Sequence, residues 1–537
     1  MMVPVVLLLA GCQPGDSPDT QPQAGSVPDA DIPPGRPNIL YILADDLGYT
    51  DVGFFGAEIR TPNLDELAYA GLRLTNFHAA PTCAPTRGML MSGTTNSEAG
   101  VDALDDPVRN DVANLPERLR DAGYHTYMAG KWNLGIRAED GPAARGFDQS
   151  FALMKAGDNH LGHSLFPGSP PQFAGEPVYR ENGQPVDLPD GWFSSRLYTD
   201  KLIDYIDTNA GDGEPWFGYL AFTAPHWPLQ APEDWIDRYA GRYDEGYNAL
   251  LEARYEEARR LGIFREGLEL EGYVSSAPPW SSLEESERRI YARSMEIYAA
   301  MIENMDMHVG RLIDFLEAAG ELDNTVIIFS SDNGAERVTS AFRPTTLPRT
   351  DNDNSIENLG REWSFATTGP GWAEAATAPY RALKGTLYEG GTRVPAFIHH
   401  SSVADKGGID RTYLTVMDLL PTMLDIAERP VTSNEFQGRE VVPVRGSSFW
   451  GLVTGAADAV RARDETVVWA APDSEPATAV LARWPWKLYG ERIEGDTASM
   501  RWSLFDMESD PGERQDLAAE RPMLTAELAA LWQASGR

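Results

Sequence analysis

Cysteine is nearly missing. Cys12 and Cys83 are the two thiols in 537 residues, so no disulfide framework supports the chain and each needs its own explanation. Cations are scarce as well: 45 Lys and Arg face 81 Asp and Glu, a net charge of −36 that repels nucleic acid and anionic ligands at long range. No nucleic-acid partner is expected, and a site that takes anions must carry its own local positive charge. No apolar run approaches the roughly 20 residues that a membrane-crossing helix needs. At 42% apolar and 10% aromatic the chain still has ample material for a large core.

What is present begins with an address. Residues 1–11, MMVPVVLLLAG, have the length of the hydrophobic part of a signal peptide. Leu9-Ala10-Gly11-Cys12 resembles the lipobox of bacterial lipoproteins, which implies a lipidated Cys12 as the mature N-terminus and export to the periplasm or cell surface. Membrane association is then expected only through that anchor. Residues 12–36 are Pro, Gly, Asp and Ser with little to bury, and read as a tether.

From residue 37 short apolar runs, often β-branched, alternate with helical stretches, which predicts an α/β domain with a large, mostly parallel sheet over residues 37–430. Four runs end on reactive side chains. NILYILA (38–44) leads to Asp45-Asp46, HTYMAG (125–130) to Lys131, FGYLAFTAP (217–225) to His226 and TVIIFSS (325–331) to Asp332-Asn333. Strands buried on both faces read this way, and the ligand crevice of an open α/β sheet lies off their carboxyl ends. Residues 282–319 predict one long amphipathic helix opened by a Ser282/Glu285 capping box. The texture over residues 431–537 changes to shorter strands and a final helix, which predicts a small antiparallel α+β domain.

Cys83 lies in PTCAPTRGMLMSG (81–93), where Pro85 suits the first turn of a helix. The thiol therefore falls at a helix N-terminus, whose N–H groups and dipole favour an oxyanion, and Arg87 adds a cation one turn on. Cys83-Ala84-Pro85-Thr86-Arg87 resembles the C-x-P-x-R signature of the type I sulfatases of the alkaline-phosphatase-like superfamily, bacterial arylsulfatases in particular. TPNLDELAYAG (61–71), GKWNLG (130–135), FTAPHWPLQAP (222–232), SSDNGAE (330–336) and APYRALKGTLYEGGTRVPA (378–396) extend the resemblance over nearly the whole chain from residue 37.

The resemblance implies a sulfuric ester hydrolase in which a formylglycine-generating enzyme converts Cys83 to formylglycine, whose hydrate attacks sulfur and leaves a sulfated hemiacetal. It assigns Asp45, Asp46, Asp332, Asn333 and the modified residue 83 to a calcium ion, and Arg87, Lys131 and Lys384 to the nucleophile and sulfate. His226 is implied as the sulfate-contacting histidine that, with Lys384, assists the departing oxygen. An all-oxygen shell with three carboxylates independently suits Ca²⁺, with Mg²⁺ second. Expected substrates are small sulfate esters or sulfated glycans and steroids.

One position departs from the pattern. The family motif reads G-K-W-H-L-G, with the histidine placed to take a hydroxyl proton, whereas this chain has Asn133, which cannot act as a base near neutrality. The candidates to replace it are Lys131, His78, His125, His160 and His163. The alternatives are slow turnover, a sulfate-ester-binding pseudoenzyme, or a phosphate or phosphonate ester hydrolase of the same superfamily. Trp132, Trp227, Trp363 and Trp372 are candidates for an aromatic wall around the leaving group.

Overall fold

In strand Asn38–Ala44 the side chains of Leu40, Ile42 and Ala44 enter one apolar cluster, and those of Ile39, Tyr41 and Leu43 enter another. A strand with no solvent face has to read as a continuous apolar run, and this one is buried throughout. Val326 and Ile328 of strand Thr325–Ser331 join the second cluster, while Ile327 and Phe329 join the first. The computed structural model describes Met1 and residues 35–162, 178–338, 353–471, 477–493 and 496–535. The expected signal segment past Met1, together with Cys12, most of the tether and His163, lies outside the described residues.

Ten strands form the main sheet, in the order Ile409–Asp410, Leu72–Leu74, Ala396–His399, Thr325–Ser331, Asn38–Ala44, Trp216–Ala221, His125–Lys131, Gln149–Leu153, Tyr179–Glu181, Gln184–Pro185. The five from Thr325–Ser331 to Gln149–Leu153 run parallel, and antiparallel neighbours flank them on both sides. The α/β class and the mostly parallel centre agree with the sequence; the one reversed strand on each flank, Ala396–His399 and Tyr179–Glu181, is an addition, and the strands beyond them run with the centre again. Strand Asn38–Ala44 has a parallel neighbour on each side, Trp216–Ala221 and Thr325–Ser331, so the carboxyl ends of all three lie along the same edge of the sheet.

The run 217–225 makes a shorter strand than its composition suggests, Trp216–Ala221. Pro225 and Pro228 have no N–H to offer a ladder, and Ala224 accepts instead from Asp45 N at 3.1 Å. The long helix is Glu285–Ala319, and its capping box is Glu284 with Glu287 rather than Ser282 with Glu285. Ser282 belongs to a separate turn, Trp280–Ser282, where its hydroxyl donates to Pro279 O. Leu283, in extended conformation, separates the two.

A four-stranded antiparallel sheet follows, Val467–Ala471, Thr478–Arg483, Trp486–Ile493 and Asp496–Asp506, with helix Pro522–Ala534. Leu481, Leu488 and Leu504 face Leu528 of that helix, while their neighbours Val480, Tyr489 and Phe505 join the second core cluster. The small sheet is thus half its own core and half part of the large one. Lys487 rivets the join: its ammonium is 2.7 Å from Glu389 and 2.8 Å from Glu513, and Glu389 also meets His78 at 2.9 Å and Arg393 at 2.7 Å. All of these side chains are buried, and breaking such a network by removing one partner is far costlier than breaking a surface pair. Lys487→Met is expected to lower the unfolding free energy by about 3 kcal/mol, read from the urea midpoint at unchanged m-value.

Candidate active site

The strand register brings the reactive ends together. Ala44 pairs with Ser331, so Asp45 and Asp332 leave the sheet side by side, and Gly130 pairs with Ala221 beside them. Gly130 is required there: at φ 121° an added Cβ would lie 1.8 Å from Ala221 O. Its successor Lys131, the last strand residue, reaches across to Asp45 Oδ2 at 2.6 Å. Facing this edge is helix Cys83–Ser92, with Cys83 in its first position as expected and Arg87 one turn in.

Arg87 is fully buried and binds the edge together. Nη2 and Nε donate to Asp332 Oδ2 at 2.8 and 3.2 Å, and Nη1 donates to the Lys131 carbonyl at 2.7 Å. Lys384 Nζ lies 2.5 Å from Asp46 Oδ1 and 3.1 Å from Glu336. Asn333 donates to the same Asp46 oxygen at 2.7 Å, and Asp332 Oδ1 accepts from Asp46 N at 3.2 Å. Every residue the sequence selected for nucleophile, cation and metal roles is therefore at this one edge; Asn133 follows the same strand end but faces a partner of its own.

The electrostatics decide what these groups can do. Burial pushes the Cys83 thiol up to about 12 in spite of Lys131 and Lys384, so as a plain thiol it is protonated and unreactive at neutral pH. Burial alone would raise Asp46, but Lys384, His226 and Lys131 outweigh it and hold the carboxyl below its usual range. Lys131 and Lys384 lie above the ordinary lysine value because facing carboxylates outweigh burial. Lys131 thus has no lone pair for a proton, which removes it as the replacement base. His226 is pushed down to about 4 by burial, with Lys131 and Lys384 adding to that and Asp46 opposing it. Its Nδ1 lies 2.6 Å from the Trp227 carbonyl, which can only accept, so Nδ1 carries the hydrogen and Nε2 turns a bare lone pair to the site, 3.6 Å from Asp46 Oδ2.

A cation fits this arrangement. Asp45 Oδ1, Asp46 Oδ2 and Asn333 Oδ1 are buried without a hydrogen-bond partner, an expensive state for two carboxylate oxygens and an amide oxygen unless a cation meets them. Ligand atoms of Asp45, Asp46, Cys83 and His226 lie within 4.8 Å of one another. Asp332 differs from the other three predicted ligands, since both of its oxygens are already engaged, by Asp46 N and by Arg87.

The Sulfatase family model matches residues 37–428. The chain belongs to the sulfatase family. It is similar to an uncharacterized sulfatase of Schizosaccharomyces pombe, 40% identical over 536 residues that cover 93% of each chain. It is also similar to the arylsulfatase of Klebsiella aerogenes, 36% identical over 73% of this chain and 87% of that one. Among solved structures, Ps i-CgsB in complex with k-i-k-neocarrahexaose superposes with a TM-score of 0.66 at 23% identity, covering 93% of this chain and 92% of that one. The relatives make this sulfatase a sulfuric ester hydrolase.

Several expectations around the sulfatase centre resolve into packing. Trp132 and Trp372 are core residues: the first indole donates to Leu134 O and Asp140 O at 3.0 and 2.9 Å, and the second to Tyr291 O at 2.9 Å. Trp227, half-buried, stays at the site with its ring 4.6 Å from that of His226 and 5.3 Å from Phe365, while Trp363 is exposed. His78 belongs to the Lys487 join. His125 pairs with Asp212 at the opposite end of the Lys131 strand. His160 stands behind His226, with Nδ1 2.8 Å from Ser194 Oγ and Nε2 2.8 Å from the His226 carbonyl, and is pushed down to about 4 by burial. None of these three can stand in for the family histidine. Glu336 is a site residue that sequence reasoning missed although SSDNGAE contains it; an acidic residue three positions past two expected ligands was the available signal.

Proposed function

We propose that the chain hydrolyses sulfate monoesters, with residue 83 in the formylglycine form and a calcium ion on Asp45, Asp46 and Asn333, and with Asp332 completing the charge at their side. The observation that carries this reading is a buried Cys83 placed among three fixed cations and three oxygens without a hydrogen-bond partner. As its hydrate, formylglycine supplies one hydroxyl to attack sulfur and a second to expel sulfate afterwards. Ca²⁺ supplies Lewis acidity toward oxygen.

The chain's own residues do the rest. An ammonium has three donors, and Lys131 and Lys384 retain some beyond their carboxylate partners for sulfate oxygens, which answers locally the repulsion of a −36 chain. Arg87, locked on Asp332, fixes the spacing between the Cys83 helix and the strand ends. Lys384 is the proton source for the departing oxygen, because His226 is neutral and has its one hydrogen on Trp227 O. Trp227 and Phe365 offer an apolar surface for an aryl group or sugar ring. The carbohydrate complex of Ps i-CgsB supports sulfated glycans as one substrate class. We further propose export and lipidation at Cys12, on the strength of the Leu9-Ala10-Gly11-Cys12 pattern, testable by metabolic labelling with a radioactive fatty acid and its loss in Cys12→Ala.

The test of the activity is 4-nitrophenol release from 4-nitrophenyl sulfate by protein produced with a formylglycine-generating enzyme. Release well beyond one equivalent, lost with chelator and restored by Ca²⁺, is expected. Release indifferent to chelator removes the cation from the site. A higher kcat/KM on 4-nitrophenyl phosphate or a phosphonate ester overturns the sulfate assignment.

A further inference from the structure

Asn133 is wholly buried and left-handed, at φ 57°, a conformation asparagine tolerates better than most residues. Its Nδ2 donates to Asp105 Oδ1 at 2.9 Å. Its Oδ1 is buried and has no hydrogen-bond partner. A carboxylate can only accept, so Asp105 settles which end of the amide it faces and turns the oxygen the other way.

Asp105 comes from a loop braced to hold it. Asp106 Oδ2 accepts from the backbone N–H of Asp102 and Ala103 at 3.1 and 2.8 Å, and Asp102 Oδ1 accepts from Asn96 and Ser97 at 2.7 Å each. Asp105 itself is left-handed at φ 63°, so the turn that presents it is fixed by its neighbours. The carboxyl is half-buried, within electrostatic reach of Lys131, Lys155 and Asp106. Lys131 in turn acts on Cys83. Asn133 lies two residues past Lys131 on the same segment, which sets the pair beside the reactive edge.

We propose that Asp105 is a positioning residue that clamps the Asn133 amide and keeps its oxygen free as the acceptor for a hydroxyl on residue 83. The inference rests on the sulfatase reading above. No proton is transferred to Asn133 in this arrangement. The amide oxygen holds the hydroxyl hydrogen and thereby aims the oxygen lone pairs, which is orientation in place of the base that the family pattern has at 133.

Two variants and two readouts test it. Asp105→Ala removes the clamp, whereas Asp105→Asn keeps an oxygen that can accept from Asn133 Nδ2 while losing the charge. Asp105→Ala is expected to lower kcat on 4-nitrophenyl sulfate on the order of tenfold or more with KM nearly unchanged, and Asp105→Asn to stay within about threefold of the parent. Crystal structures of the same variants with unmodified Cys83 need no maturation or turnover, and are expected to find the Asn133 amide turned in Asp105→Ala and kept in Asp105→Asn. An unmoved amide in Asp105→Ala, or an unchanged kcat, overturns the clamp. Asp105→Asn as impaired as Asp105→Ala also overturns it, by assigning the effect to charge. A parent protein that hydrolyses no sulfate ester defeats the sulfatase reading alone, since the crystallographic comparison still decides the clamp.

Discussion

Cys83→Ala is expected to abolish hydrolysis of 4-nitrophenyl sulfate, by about 10⁴-fold or more, with little change in stability. The position explains both halves. Cys83 is 2% exposed and heads helix Cys83–Ser92, so trading a thiol for hydrogen removes one buried atom at a helix end and leaves the Arg87 and Thr86 contacts that anchor the helix in place. What disappears is the sulfur on which the proposed nucleophile depends. Protein produced without a formylglycine-generating enzyme should behave in the same way. With the thiol pushed up to about 12 by burial, unmodified Cys83 stays protonated at pH 7. Paired assays and mass spectra of the peptide that carries residue 83 provide the check, and full activity in protein containing only cysteine at 83 would defeat the mechanism.

The sequence made the fold and most of the site legible for one physical reason. A strand covered on both faces must be apolar along its length, so the polar residue that ends it stands out, and Asp45, Lys131 and Asp332 announce themselves in this way. Where the backbone leaves the ladder, as beyond Ala221, composition alone overstates the strand, since aromatic and alanine residues pack as well in a buried loop as in a sheet. Capping was misplaced by two residues because Ser282 satisfies a local turn first. Asp105 and Asn133 are 28 residues apart, and their hydrogen bond depends on a left-handed turn at each. No periodicity records such a meeting. Nor does a motif record protonation: His226 matches a family histidine by residue type, while burial with two nearby lysines pushes it down to about 4 against the pull of Asp46.

Asp332 separates cation binding from stability. Its carboxylate is fully buried, takes two Arg87 nitrogens on Oδ2, and accepts Asp46 N on Oδ1. Asp332→Ala leaves the Arg87 guanidinium with the Lys131 carbonyl, Tyr219 and an Asp45 oxygen 3.8 Å away, so it is expected to lower stability by about 3 to 5 kcal/mol and to lose turnover as well. Loss of activity in that variant alone says little about the cation. Asp332→Asn keeps the volume and one oxygen for Arg87 but removes a charge from a cluster in which Asp45 and Asp46 already share their oxygens with Lys131 and Lys384. It should cost less stability than Asp332→Ala, since one oxygen still accepts from Arg87, yet drop kcat/KM on the order of 10³-fold and shift the Ca²⁺ requirement to higher concentration. Urea unfolding and a Ca²⁺ titration of activity measure the two effects independently. If Asp332→Asn needed no more Ca²⁺ than the parent, Asp332 would be a partner of Arg87 alone, and the cation would rest on the three oxygens that stand unpaired.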